Sequence, residues 1–218
     1  PALQEIDRDV FTQFSHAFTA LSFQLGDLVY ELVATSKPDD TEANQDLYFV
    51  LQGRVRLLKK KKKKQRQVSV EVLKQGALFG GDSLAEENGL SYQVVAADNK
   101  TPVEVACLTA SQANQWFQQY PDLKIPWVKA AQERQRLIFL KTLTELRTFP
   151  AHRLQGIVAH LQAIQIAAGE SLAEATPPST GRFWLRQGQI SPSSVKAWGD
   201  SDAVDADWVA QTPLKLYH

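Results

Sequence analysis

The chain has 218 residues, 44% of them hydrophobic and 22% charged, with 24 basic side chains against 24 acidic. That composition is globular and excludes wholesale disorder, and a formal net charge of zero provides no field to gather nucleic-acid phosphates. The lone Cys107 excludes a disulfide framework, no apolar run reaches the roughly 18 residues of a membrane span, and the N-terminus lacks a basic-then-apolar leader, so a cytoplasmic setting is expected. Methionine is absent and the chain starts at Pro1, which reads as a region cut from a longer protein.

In chain order, Val10, Phe11, Phe14, Ala17 and Phe18 recur at helical spacing and predict a short amphipathic helix within residues 1–20. Gly26-Asp27 reads as a turn before a strand at 28–32, and Ser36-Lys37-Pro38-Asp39-Asp40 reads as a loop. Strands follow at 47–51, 54–58, 68–72, 93–97 and 103–107. Short strands at even spacing with Gly and Pro turns predict a sandwich or barrel. Thr109 with Gln112 makes a capping box for a helix that stops before Pro121, and Pro126 suits the first turn of a longer helix. The apolar positions of that helix are Trp127, Ala130, Ala131, Leu137, Ile138, Leu140, Leu143 and Leu146, interrupted by Glu133-Arg134-Gln135-Arg136.

Two patterns recur in the same order. Ala20-Leu21-Ser22-Phe23-Gln24-Leu25-Gly26-Asp27, with Glu31 beyond, answers to Ala163-Ile164-Gln165-Ile166-Ala167-Ala168-Gly169-Glu170, with Glu174 beyond. Each is followed by an aromatic strand ending in Gln-Gly, at Gln52-Gly53 and Gln187-Gly188. The shared order predicts a duplication. The second copy is expected to be truncated. No glycine-rich turn follows Gly188, Gly199-Asp200-Ser201-Asp202 is acidic, and Trp184, Trp198 and Trp208 are expected to fill a small core.

Helix, apolar strand, Gly-Asp, loop, aromatic strand ending in Gly53 and then Arg54-Val55-Arg56-Leu57 resembles the cyclic-nucleotide-binding domain of the catabolite activator protein and the protein kinase A regulatory subunits. The resemblance implies a mainly β fold with flanking helices: a β-roll (jelly roll) over 1–125, a connecting long helix over 126–147, and a truncated second roll over 148–218. It sets the phosphate-binding cassette at 76–92, with Phe79, Gly80, Gly81, Asp82, Ser83, Ser91 and Tyr92 as ligand-binding candidates. The family supplies an arginine for the cyclic phosphate and a glutamate for the ribose. Here Gly81 stands where the glutamate would be, Asp82 is a displaced substitute, and no arginine occurs between Arg66 and Arg134. Losing hydrogen bonds to a charged partner costs about 1.5–3 kcal/mol each. No cofactor is therefore expected, and ordinary binding of cyclic AMP or cyclic GMP is disfavoured.

The run Lys59, Lys60, Lys61, Lys62, Lys63 and Lys64, with Arg66, is a candidate for electrostatic contact with acidic lipid, nucleic acid or a partner, although a solvated hairpin tip is the favoured reading, because one loop is a small patch on a neutral protein. His16, His152, His160, His218 and Cys107 form no metal-ligand pattern, and no nucleophile elbow or phosphate loop occurs, so neither a metal nor catalysis is expected. The expected function is a regulatory or docking module inside a larger protein. Its partners would be that protein's other domains, with a homodimer through the 126–146 helix, no nucleic acid, and a membrane surface only indirectly. Such regions resemble those preceding the peptidase and transport parts of bacterial ABC-type peptide exporters, where this one would be the cytosolic part of a membrane-attached protein. The alternative is a transcription regulator of the catabolite-activator class without its DNA-binding part.

Overall fold

Short strands rich in buried apolar residues build the fold in both parts of the chain. The computed structural model describes residues 8–33, 45–60, 67–85, 89–176, 181–191, 195–199, 204 and 207–218. It divides into two units, Pro1–Gln155 and Gly156–His218. The division falls later than the expected boundaries at 125 and 147, so the long helix belongs with the first unit.

In the first unit α1 (Arg8–His16) precedes β1 (Thr19–Phe23), β2 (Leu28–Leu32), β3 (Leu47–Gln52), β4 (Arg54–Lys60), β5 (Gln67–Lys74), β6 (Leu78–Gly80), β7 (Tyr92–Ala96) and β8 (Val103–Leu108). The strands form two four-stranded sheets of order β1-β8-β3-β6 and β2-β7-β4-β5. Every pairing is antiparallel. Val50, Val55, Leu57, Val94, Val103 and Val105 are all 0% exposed and form the interior between the sheets. Antiparallel strands with one buried face make a double-sheet roll, the fold class expected from the sequence.

Helices close one end of the roll. α2 (Ala110–Gln119) starts at the expected capping box, in which the Thr109 hydroxyl accepts from the Gln112 amide and the Gln112 side chain accepts from the Thr109 amide. α3 (Ile125–Leu143) carries Pro126 in its first turn. α1, α2 and α3 meet around Phe14, Leu108, Phe117, Leu123 and Trp127. The apolar face of α1 is narrower than its spacing suggests: Phe14 is buried, while Phe11 is 40% exposed. On α3 the consecutive Leu137, Ile138, Phe139 and Leu140 are all buried. Four adjacent residues point to every side of a helix, so burial there is not confined to one stripe. α4 (Ala151–Val158) follows and crosses the division between the units.

The second unit contains β9 (Ala163–Ile166), α5 (Leu172–Ala175), β10 (Arg182–Gln187), β11 (Ile190–Ser191), β12 (Ala197–Gly199), β13 (Val209–Ala210) and β14 (Leu214–Tyr217). Its main sheet has order β12-β10-β14-β9, and β11 pairs with β13. This repeats β6-β3-β8-β1 and β4-β7 of the first unit strand for strand. Smaller features coincide too. The strand ending in Gln-Gly is bulged at Val50/Gln52 in one unit and at Leu185/Gln187 in the other. Gly26 N donates to Ala96 O and Ala96 N to Asp27 O, just as Gly169 N donates to Ala210 O and Ala210 N to Glu170 O.

Two departures modify the sequence reading. Glu31 lies in strand β2, but its counterpart Glu174 lies in helix α5. Leu-Ala-Glu-Ala has neither the β-branched nor the aromatic residues that favour a strand. The second unit also has a strand in the place β6 takes in the first: Gly199 ends β12 as Gly80 ends β6, and both glycines have positive φ. The tryptophans divide. Trp198 and Trp208 pack in the core, whereas Trp184 is buried on the other face of β10 from Phe183 and Leu185.

Candidate functional site

The cassette begins with two glycines that no other residue could replace without strain. Gly80 and Gly81 have φ of 78° and 63°, and a Cβ on Gly80 would collide with the Asp46 carbonyl. This turn sends the chain inward, so that Asp82, at the head of a 3-10 turn of Asp82–Leu84, is only 4% exposed. The Gly81 amide donates to Asp46 O at 3.2 Å and so is already engaged.

Four donors converge on the Asp82 carboxylate. Its Oδ2 accepts from Tyr92 Oη at 2.6 Å, Tyr30 Oη at 3.3 Å and Arg134 Nη2 at 3.3 Å. Its Oδ1 accepts from Gln135 Nε2 at 2.9 Å. Buried carboxylates need partners, and this one has them. Arg134, 5% exposed, reaches in from α3 and also donates to Gly80 O at 2.8 Å and Leu78 O at 3.3 Å. Its guanidinium carbon lies 5.5 Å from the centre of the Tyr92 ring, while its buried Nε has no hydrogen-bond partner among the described residues. Gln135 ties the far side of the cassette, accepting from Leu90 N at 2.6 Å and donating to Leu90 O at 3.3 Å.

The aromatic surroundings hold these groups still. Tyr48 and Phe79 stack at 4.9 Å with 9° between their planes, and Tyr30 lies 5.6 Å from both Tyr48 and Tyr92. Burial, reinforced by the Asp82 charge, pushes the Tyr30 hydroxyl well above the ordinary phenol range. Burial raises Tyr92 likewise, against the opposing pull of Arg134. Both phenols therefore stay protonated as donors. Burial works most strongly against the Arg134 charge, but Asp82 together with the neighbouring tyrosine oxygens outweighs it and holds the guanidinium above its usual range.

Of the expected ligand-binding residues, Gly80, Gly81, Asp82 and Tyr92 come together here. Phe79 is 0% exposed and serves as core. Ser83 is exposed and donates to Gln45 Oε1, while Ser91 accepts from Lys59 Nζ at 2.9 Å. Lys59 thus belongs to this edge of the roll, and Lys60 ends β4. Lys61, Lys62, Lys63, Lys64 and Arg66 lie outside the described residues. Cys107 is half-buried and burial raises its thiol, which disfavours a reactive thiolate.

Sequence reasoning missed Tyr30, Arg134 and Gln135. The signal for Arg134 was present, since Trp127, Ala131, Arg134 and Ile138 follow one buried helical stripe in which a charged residue needs a partner.

A family model described as cyclic nucleotide-binding domain matches residues 39–120. Among solved structures, the Thermus thermophilus catabolite activator protein is similar at 20% identity and a TM-score of 0.48, over 66% of this chain and 62% of that one. The N-terminal domain of a Streptomyces coelicolor transcriptional regulator is similar at 18% identity and a TM-score of 0.43, over 62% of this chain and 89% of its own. The regulatory domain of Toxoplasma gondii PKA with cAMP is similar at 14% identity and a TM-score of 0.42, over 99% of this chain and 83% of its own. Comparison with curated proteins gave no match. The first unit is thus a double-sheet β-roll, and residues 39–120 within it match the cyclic nucleotide-binding domain model.

Proposed function

We propose that the chain is a non-catalytic regulatory or docking module of a larger protein, with its cassette clasped to the following helix by the protein's own side chains. The observation that carries this reading is the buried Asp82–Arg134 pair. Apart from Arg134 Nε, the buried donors that converge here already serve the Asp82 carboxylate. A cyclic phosphate placed about 4 Å from that carboxylate would be repelled by about 4 kcal/mol at an effective dielectric of 20. That exceeds the roughly 1.5–3 kcal/mol of one charge-assisted hydrogen bond.

Regulation would act through the clasp. Arg134 and Gln135 bond both ends of the cassette, at Asp82 and Leu90, to α3. A partner that draws the cassette away from α3 must break both attachments, and the change passes along α3 to whatever follows it. The matching strand order of the second unit supports duplication, and its tryptophan-filled interior supports a structural role for that copy. Placement ahead of an ABC-type peptide exporter follows from the resemblance alone. The alternative, a transcription regulator of the catabolite-activator class, would carry a helix-turn-helix after the long helix. The strands of the second unit occupy that position instead, and this favours the first reading.

Thermal unfolding of the full chain with millimolar cyclic AMP, cyclic GMP and cyclic dinucleotides tests the proposal. The expected midpoint is unchanged. A ligand at a hundred times its dissociation constant adds about 2.7 kcal/mol, a rise of about 5–10 °C, and a shift of that size overturns the reading.

A further inference from the structure

Each donor facing Asp82 is held in place by something other than Asp82. Arg134 is fixed by the carbonyls of Leu78 and Gly80, and Gln135 by both backbone groups of Leu90. The Tyr30 ring packs on Tyr48 and Phe79, and the Tyr92 ring lies between Tyr30 and the Arg134 guanidinium. Arg134 Nε adds a buried donor with no partner among the described residues. These groups come from β2, β7 and α3, so the arrangement does not depend on one loop.

We infer that Asp82 excludes ligands from a preformed cradle for a small anion, and that removing its side chain turns the first unit into a binder of carboxylate- or phosphate-type anions. Without Asp82, the Arg134 guanidinium becomes a buried charge with no counter-ion, and an anion from solution is its natural replacement. The vacated space is that of a carboxylate, which suits formate. This inference rests on the proposed reading that Asp82 fills the cradle.

The test compares thermal midpoints of wild type, D82A, D82N and D82A/R134M in sodium formate and in sodium chloride of equal ionic strength. At ten times its dissociation constant, formate is expected to raise the D82A midpoint by about 3–6 °C. Wild type and D82N keep the space filled and are expected not to respond. D82A/R134M has no bare cation and is expected not to respond either. If D82A is unfolded in chloride, the readout becomes recovery of its folded signal on adding formate. A parallel arm with inorganic phosphate separates the two anion types: a response to formate alone assigns a carboxylate-sized cradle, and a response to both extends it to phosphoryl groups. The inference is overturned if formate affects D82A no more than D82N, or affects D82A/R134M equally. A wild-type response to cyclic AMP would instead overturn the proposed function, so the two failures are distinguishable.

Discussion

Arg134 and Asp82 are 52 positions apart in the chain and 3.3 Å apart in space, with side chains only 4% and 2% exposed. A pair so sheltered escapes salt screening, yet desolvation cancels much of its attraction. Its consequence is positional. It fixes the cassette at Asp82 to a helix that begins more than forty residues beyond that aspartate in the chain.

Removing either partner leaves the other as an uncompensated buried charge. D82A and R134M are each expected to cost about 3–5 kcal/mol in urea unfolding. The double variant D82A/R134M is expected to cost less than the two losses added together, because neither charge is then stranded. Strictly additive losses would show that the two side chains do not depend on each other.

The two tyrosines should differ in weight. Tyr92 Oη lies 2.6 Å from Asp82 Oδ2 and Tyr30 Oη lies 3.3 Å away. Y92F is expected to cost about 1.5–3 kcal/mol, the range for a hydrogen bond to a charged group, and Y30F less. Equal costs in urea unfolding would contradict the geometry.

The roll was legible because its strands are short, apolar and evenly spaced with glycine in their turns, and because Thr109 and Gln112 announce a helix start in local sequence alone. The cassette was located by its glycines. Its chemistry was not legible, since Arg134 arrives from a helix distant in sequence, where its charge looked like a break in an apolar stripe. Only the packing of α3 on the roll turns that break into an inward-facing residue. Strand β12 of the second unit was hidden for a related reason: it is three residues long and is recognised by its pairing with β10, which local pattern does not reveal.

Glu71 sets a pH dependence. Burial raises its carboxyl above the usual range, only partly offset by the hydrogen bond from Gln155. A carboxyl whose folded-state pKa is raised contributes stability below its unfolded pKa, and that contribution is lost as pH rises through the folded value. E71Q keeps an acceptor oxygen for Gln155 but cannot ionise. The midpoint of E71Q is therefore expected to gain on wild type as pH rises from about 4, the ordinary glutamate range, towards 7. A difference that is flat across this window would mean that Glu71 ionises as freely in the fold as in the unfolded chain.

The equivalence of the two units makes a prediction about their turns. Asp27 Oδ2 accepts from Gln24 N at 2.7 Å, and Glu170 Oε2 accepts from Ala167 N at 3.0 Å, each side chain closing the turn that holds Gly26 or Gly169. Beyond each turn the same backbone exchange follows, with Ala96 in one unit and Ala210 in the other. An exposed hydrogen bond of this kind contributes about 0.5–1.5 kcal/mol. In D27A the amides of Gly26 and Ala96 are expected to exchange with solvent deuterium about three- to tenfold faster, and in E170A the amides of Gly169 and Ala210 should accelerate by a similar factor. Each effect should stay within its own unit, because the bonds that close each turn are internal to it. If only one substitution loosened its turn, the two copies would have the same strand order but different anchoring, and the turns could not be treated as equivalent devices.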